Sequence, residues 1–128
     1  MTILRRTILA GIGLAALPRL AAAHAAPFSA QAFEAAQAAD RPILVDVTAS
    51  WCPTCRNQKP ILARLLAEPR FAEIAAFEVD YDRQKYIVRR FEVRMQSTLI
   101  VFRGRDELGR SVGDTNPASI RSLLEMTL

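Results

Sequence analysis

Trp51-Cys52-Pro53-Thr54-Cys55 decides how this chain is read, because it holds both cysteines of the 128-residue sequence and parts them by two residues. Upstream lies Ile43-Leu44-Val45-Asp46-Val47, an apolar run broken by one acid, with the length and composition of a buried strand. Downstream, Ile61, Leu62, Leu65 and Leu66 recur at helical spacing. The cysteines therefore fall where a strand hands over to a helix N-terminus, with Cys52 at the terminus and Cys55 one turn inside. Unsatisfied N–H groups and the positive end of the helix dipole favour a thiolate there. Thiolate, not thiol, attacks disulfides. The expected division of labour is an exposed nucleophile at Cys52 and a resolving thiol at Cys55, which breaks the mixed disulfide. Pro53 fixes the backbone after the nucleophile and has no N–H to donate, whereas Thr54 offers a hydroxyl. No histidine stands between the cysteines, which favours a reducing or isomerising role over a strongly oxidising one.

Two plainer readings of the pair are weaker. A structural bridge across a two-residue gap removes little entropy from the unfolded chain, because that stabilisation grows with loop length. Zinc needs four ligands, and the only histidine is His24. No metal site is expected within one chain, and no cofactor beyond the redox-active Cys52–Cys55 disulfide.

The N-terminal residues run from Arg5 and Arg6 through a ten-residue apolar stretch, Ile8 to Leu17, then Pro18 and Arg19, to the small residues of Ala23-His24-Ala25. Basic head, apolar middle and A-x-A tail make a secretory signal peptide over residues 1–25. The apolar stretch is too short for the roughly 20 residues of a membrane-spanning helix. Arg5-Arg6-Thr7-Ile8-Leu9 also has the twin-arginine form, and the same residues serve equally as a general export signal. Export implies a periplasmic or otherwise exported protein that meets the membrane only in transit, in a compartment where a proximate cysteine pair can close. The formal charge of +4 belongs to the whole chain: without Arg5, Arg6 and Arg19, 14 basic residues face 13 acidic ones. Nucleic-acid binding has little electrostatic support on that balance.

Residues 26–128 fit one small domain. Ser29 caps a helix running to Ala39, Ile43–Thr48 is a strand, and the cysteine helix reaches Ala67 with a kink at Pro60. Ala75–Asp80 is a second strand, and Asp82–Phe91 a helix. Leu99–Phe102 and Leu108–Val112 form a hairpin across a turn at Arg103–Glu107, and Asn116 with Pro117 opens a final helix. The expected class is α/β, in the order α, β-α-β, α, β-β, α.

Ile43-Leu44-Val45-Asp46, Ala49-Ser50-Trp51-Cys52-Pro53-Thr54-Cys55 and Pro60 resemble the first half of the thioredoxin family. Phe91-Glu92-Val93-Arg94-Met95-Gln96-Ser97-Thr98-Leu99-Ile100-Val101-Phe102, with Gly113, resembles its second half. The resemblance implies a thioredoxin-like fold, a mixed central β-sheet flanked by helices. It implies that Asp46 is the buried acid beneath the disulfide, exchanging a proton with Cys55, and that Trp51 packs beside the sulfurs. Trp51, Pro53, Thr54, Ser97 and Thr98 are the expected substrate-binding positions. Two departures stand out. Ser97 occupies the place of the family's cis-proline, and a cis bond before another residue costs about 2.5–4 kcal/mol, so a trans or strained loop is expected, leaving the sulfurs more open. Ala76 stands where a lysine coupled to the acid is usual, so Asp46 is expected to ionise with more difficulty.

The implied function is an exported, monomeric thiol-disulfide oxidoreductase that acts on protein disulfides and draws electrons from a membrane thiol carrier. The alternatives are a redox-linked binding or chaperone module with weak catalysis, and a metal or iron–sulfur site shared by two chains, each giving two thiolates.

Overall fold

The computed structural model describes residues 24–128, so the expected leader lies outside the described residues except for His24 and Ala25. The elements are β1 (Ala26–Pro27), α1 (Ala30–Ala38), β2 (Pro42–Thr48), α2 (Pro53–Leu66), β3 (Ala75–Asp80), α3 (Lys85–Arg90), β4 (Thr98–Arg103), β5 (Asp106–Val112) and α4 (Pro117–Glu125). They build a five-stranded mixed sheet in the order β1-β3-β2-β4-β5. β2 lies at its centre, parallel to β3 and antiparallel to β4, and β4 and β5 form the expected hairpin.

Every residue of β2 is buried, which is why the strand reads as a continuous apolar run rather than an alternating one. Its side chains alternate between two cores. Ile43, Val45 and Val47 face an aromatic cluster of Phe28, Phe33, Phe77, Phe91 and Phe102, while Leu44 faces Ile61, Leu62 and Leu65 of α2 and Ile120 and Leu124 of α4. Asp46, two residues after Leu44, falls on the α2 face.

The caps expected at Ser29 and Asn116 are present: Ser29 Oγ accepts from the Ala32 N–H, and Asn116 Oδ1 from those of Ala118 and Ser119. α2 continues as helix through Pro60. The helix expected from Asp82 starts only at Lys85, because the Asp80 carboxylate accepts from the N–H groups of Asp82 and Arg83, both at 3.0 Å, and holds them in a turn. β1 was not foreseen; two residues, one of them proline, give no periodicity.

Candidate active site at the start of helix α2

Cys52 is the N-cap of α2, and Pro53 opens its first turn, where the missing N–H has no helical partner to lose. Cys52 and Cys55 form a disulfide with their Cα atoms 5.3 Å apart. Cys52 Sγ also accepts from the Cys55 N–H at 3.1 Å. The expected exposure of Cys52 is corrected here: Cys52 is 1% and Cys55 2% exposed. The Cys52 side chain lies back over the helix start, where it accepts from the Cys55 N–H, and the pair packs with Ala49 and against Tyr81. Trp51 is not a core aromatic. It is 54% exposed, and its indole N–H donates to Asp82 Oδ2 at 2.7 Å, so the ring is held at the surface beside the disulfide. Pro53 is exposed and Thr54 half-buried.

The segment before β4 departs from expectation in one respect and meets it in another. No cis peptide bond occurs among the described residues, and Ser97 has a φ of 59°, so the loop is both trans and in the left-handed region that disfavours a side chain. Proline, locked near −65°, does not fit that backbone. Ser97 does not open the site, however. It is buried, its hydroxyl donates back to the Gln96 carbonyl at 2.6 Å, and its own carbonyl accepts from the Gly113 N–H at 3.0 Å. Thr98 is buried as well, donating its hydroxyl to the Met95 carbonyl.

Asp46 is buried, and its Oδ1 has no hydrogen-bond partner among the described residues. Burial, then the nearby Glu78 charge, push its carboxyl from 3.8 up to about 7, against a smaller opposite pull from Lys59. In the strand register Ala76 pairs with Leu44 and Glu78 with Asp46, so Ala76 lies one pair away on the same face, and Asp46 ionises with difficulty as expected. A cation is present nonetheless. Lys59 of α2 lies 3.8 Å from the Glu78 carboxylate, and both line a cavity of about 340 Å³ with Asp46, Leu44, Leu62 and His24. The arrangement gives the carboxyl a pKa suited to exchanging protons near neutral pH. Among the described residues no group of three His, Cys, Asp or Glu side chains is placed to hold a metal ion.

Sequence reasoning missed Tyr81, Asp82, Gln58, Lys59 and Glu78. Gln58 carried a signal: it follows Cys55 by three residues on the inward stripe completed by Leu62 and Leu65, yet it is polar. Buried, it donates to the carbonyls of Ser97 (3.3 Å) and Asp114 (2.8 Å).

Comparison with known proteins agrees with the geometry. The family model described as Thioredoxin matches residues 24–126. Thioredoxin H2-1 of Oryza sativa subsp. japonica is 32% identical over 71 residues, 56% of this chain and 50% of that protein. A thioredoxin H-type of Brassica campestris is 31% identical, and 63% of its length is matched, so the chain spans between half and just under two thirds of these relatives. Thioredoxin-2 of Saccharomyces cerevisiae is 30% identical over 97 residues, 75% of this chain and 90% of that one. Among solved structures, Trxlp from Edwardsiella tarda superposes with a TM-score of 0.75 at 43% identity, covering 77% of this chain and 95% of its own. Disulfide at a helix start, buried acid on the central strand, sheet order and family match converge, and the chain belongs to the thioredoxin family.

Proposed function

We propose that the protein is an exported dithiol–disulfide oxidoreductase acting on protein disulfides. The observation that carries this is the disulfide at the start of α2, where Cys52 Sγ takes the Cys55 N–H. In the reduced protein the same N–H and the helix dipole stabilise a Cys52 thiolate. That thiolate attacks one sulfur of a substrate disulfide, forms a mixed disulfide and expels the other substrate sulfur as a thiolate, which takes a proton from water. Asp46, on the α2 face of β2 and poised near neutral pH, accepts the proton of Cys55. The Cys55 thiolate then attacks Cys52 Sγ and expels the second substrate sulfur. The substrate gains two electrons and the protein returns to the disulfide form. A membrane dithiol carrier restores the reduced pair by the same exchange in reverse. Trp51, held by Asp82, and the exposed Pro53 offer the surface on which a substrate chain rests.

Export rests on the residue order from Arg5 to Ala25, and the family match begins only at residue 24. A monomer suffices, because one chain carries both sulfurs and the acid.

The test is turnover of insulin disulfides. Cys52→Ser is expected to abolish it, and Cys55→Ser to accumulate a covalent adduct with substrate, visible by non-reducing mass spectrometry. Full activity in both variants would end the proposal. A second reading, a redox-linked binding module, draws on the burial of both sulfurs and on Ser97 in place of proline. It predicts stoichiometric binding of an unfolded chain without multiple turnovers.

A further inference from the structure

Asp46 is buried, and its Oδ1 has no partner among the described residues. It lines the cavity of about 340 Å³ bounded by β2, β3 and α2, a volume at the lower end of the range for small-molecule sites. Leu44, Leu62 and Leu66 supply apolar walls. The charged groups of the lining stand together. Glu78 is the partner of Asp46 across the parallel pairing, where neighbouring strands run about 4.8 Å apart. Lys59 reaches the Glu78 carboxylate only at 3.8 Å, near the outer limit of an ion pair, and is exposed where Glu78 is half-buried. His24 is the remaining titratable group. One lysine therefore stands against two carboxyls, the deeper of which it does not contact.

That lining selects an occupant. A buried acceptor left unmatched costs stability, and a donor brought into the cavity recovers the cost. An anion would meet two carboxyls, and a neutral apolar molecule would leave their charge unbalanced. A single positive charge on an apolar body matches both the charge and the walls.

We propose that this cavity is a binding site for a small primary ammonium compound with an apolar body, its charged end between Asp46 and Glu78 and its hydrocarbon against Leu44, Leu62 and Leu66. The three N–H donors of an ammonium suffice for the unpaired Asp46 oxygen and for Glu78 together. The inference stands on the cavity and does not depend on the reaction of the dithiol. Binding is coupled to a proton, because the occupant favours an ionised Asp46, whose carboxyl burial and then Glu78 otherwise hold up to about 7. An ammonium that enters below that pH displaces the Asp46 proton to water. Affinity accordingly rises with pH, about tenfold from pH 6 to pH 8.

The experiment titrates the full chain with hexylamine, and with hexanol and hexanoate as neutral and anionic counterparts of the same length, by calorimetry and by amide NMR. Hexylamine is expected to bind one to one and to move the amide signals of Leu44, Asp46, Leu62 and Glu78. Hexanol, and hexylamine on Asp46→Asn, are expected to bind about tenfold more weakly, the size of one charge-assisted hydrogen bond, and hexanoate more weakly still. Glu78→Gln weakens hexylamine binding too and decides the question should Asp46→Asn fail to fold, whereas Lys59→Met removes the competing cation and tightens it. Histidine side chains change charge over the same pH range, so the profile is repeated in His24→Ala, where the tenfold rise is expected to persist. Hexanol binding as tightly as hexylamine, unchanged affinity in the folded acid variants, or a rise lost with His24 would each overturn the inference. So would signals that move only elsewhere on the surface, or no binding of hexylamine, which would leave the Asp46 oxygen to water.

Discussion

At the scale of single residues, Asp46 is held in a form that its surroundings select. It lies on the fully buried central strand with one carboxylate oxygen unpaired among the described residues, and its neighbour across the parallel pairing is another acid, Glu78. The folded state therefore binds the Asp46 proton more tightly than the unfolded chain does, since the carboxyl rises from 3.8 to about 7. The sign follows. This contribution to stability is complete below pH 3.8, is lost as pH rises through about 7, and is flat above that. The size corresponding to the shift is about 4 kcal/mol, an upper figure for a group beside a cavity that can relax around it. Asp46→Asn removes the ionisation while keeping the shape. In urea titrations it is expected to gain about 2–4 kcal/mol over wild type at pH 8 and to match it near pH 3.5. A variant no more stable at pH 8 would mean that the carboxylate finds compensation that the structure does not contain. On the proposed mechanism the gain in stability comes with a loss of turnover, because the same substitution removes the proton acceptor for Cys55.

Elements differ in how much of themselves the sequence displays. β3 was legible to the residue, Ala75–Asp80, because its apolar positions alternate and Asp80 closes it. The cysteine pair was legible from spacing alone, and so was its place at a helix start. Three features were not. α3 loses its first turn to Asp80, whose carboxylate lies outside the helix it shortens. The acid opposite Asp46 depends on the register between β2 and β3, which sets Glu78 beside it and Ala76 one pair away on the same face. The burial of Cys52 depends on where its side chain lies at the helix start, which composition does not encode. Helix α1 shows the limit from the other side. Its Ala-rich sequence buries only Phe33 and Ala36. Phe33 stands 5.3 Å from Phe91, 5.4 Å from Phe28 and 5.5 Å from Phe102, ring centre to ring centre, so it joins α1 to β4 and to the end of α3. Phe33→Ala is expected to cost about 3–5 kcal/mol in urea denaturation and to raise amide exchange throughout α1. A cost below 1 kcal/mol would show that the helix is held by its backbone and caps instead.

For the molecule as a whole, the N-terminal boundary joins the export reading to the chemistry of the site. Cleavage after Ala25 would leave β1 intact: Ala26 pairs with Phe77, Pro27 with Glu78, and the Phe28 N–H donates to the Glu78 carbonyl at 2.8 Å. Phe28 itself is buried in the aromatic cluster, 5.6 Å from Phe91 and 5.9 Å from Phe77. A cut three residues later would remove that ring. A chain of residues 26–128 is therefore expected to match the full chain within about 1 kcal/mol, because neither His24 nor Ala25 belongs to the core, and a chain of residues 29–128 to lose about 3–5 kcal/mol. Two of the residues that the first cut removes, His24 and Ala25, do line the cavity over Asp46. Taking them away lets water closer to a carboxyl whose elevation comes first from burial. The pH at which stability levels off should accordingly lie lower for 26–128 than for the full chain, while stability below pH 4 stays the same. Equal midpoints would show that His24 and Ala25 do not screen the acid. A large loss of stability in 26–128 would place the boundary of the folded domain before Ala26 and argue against cleavage there.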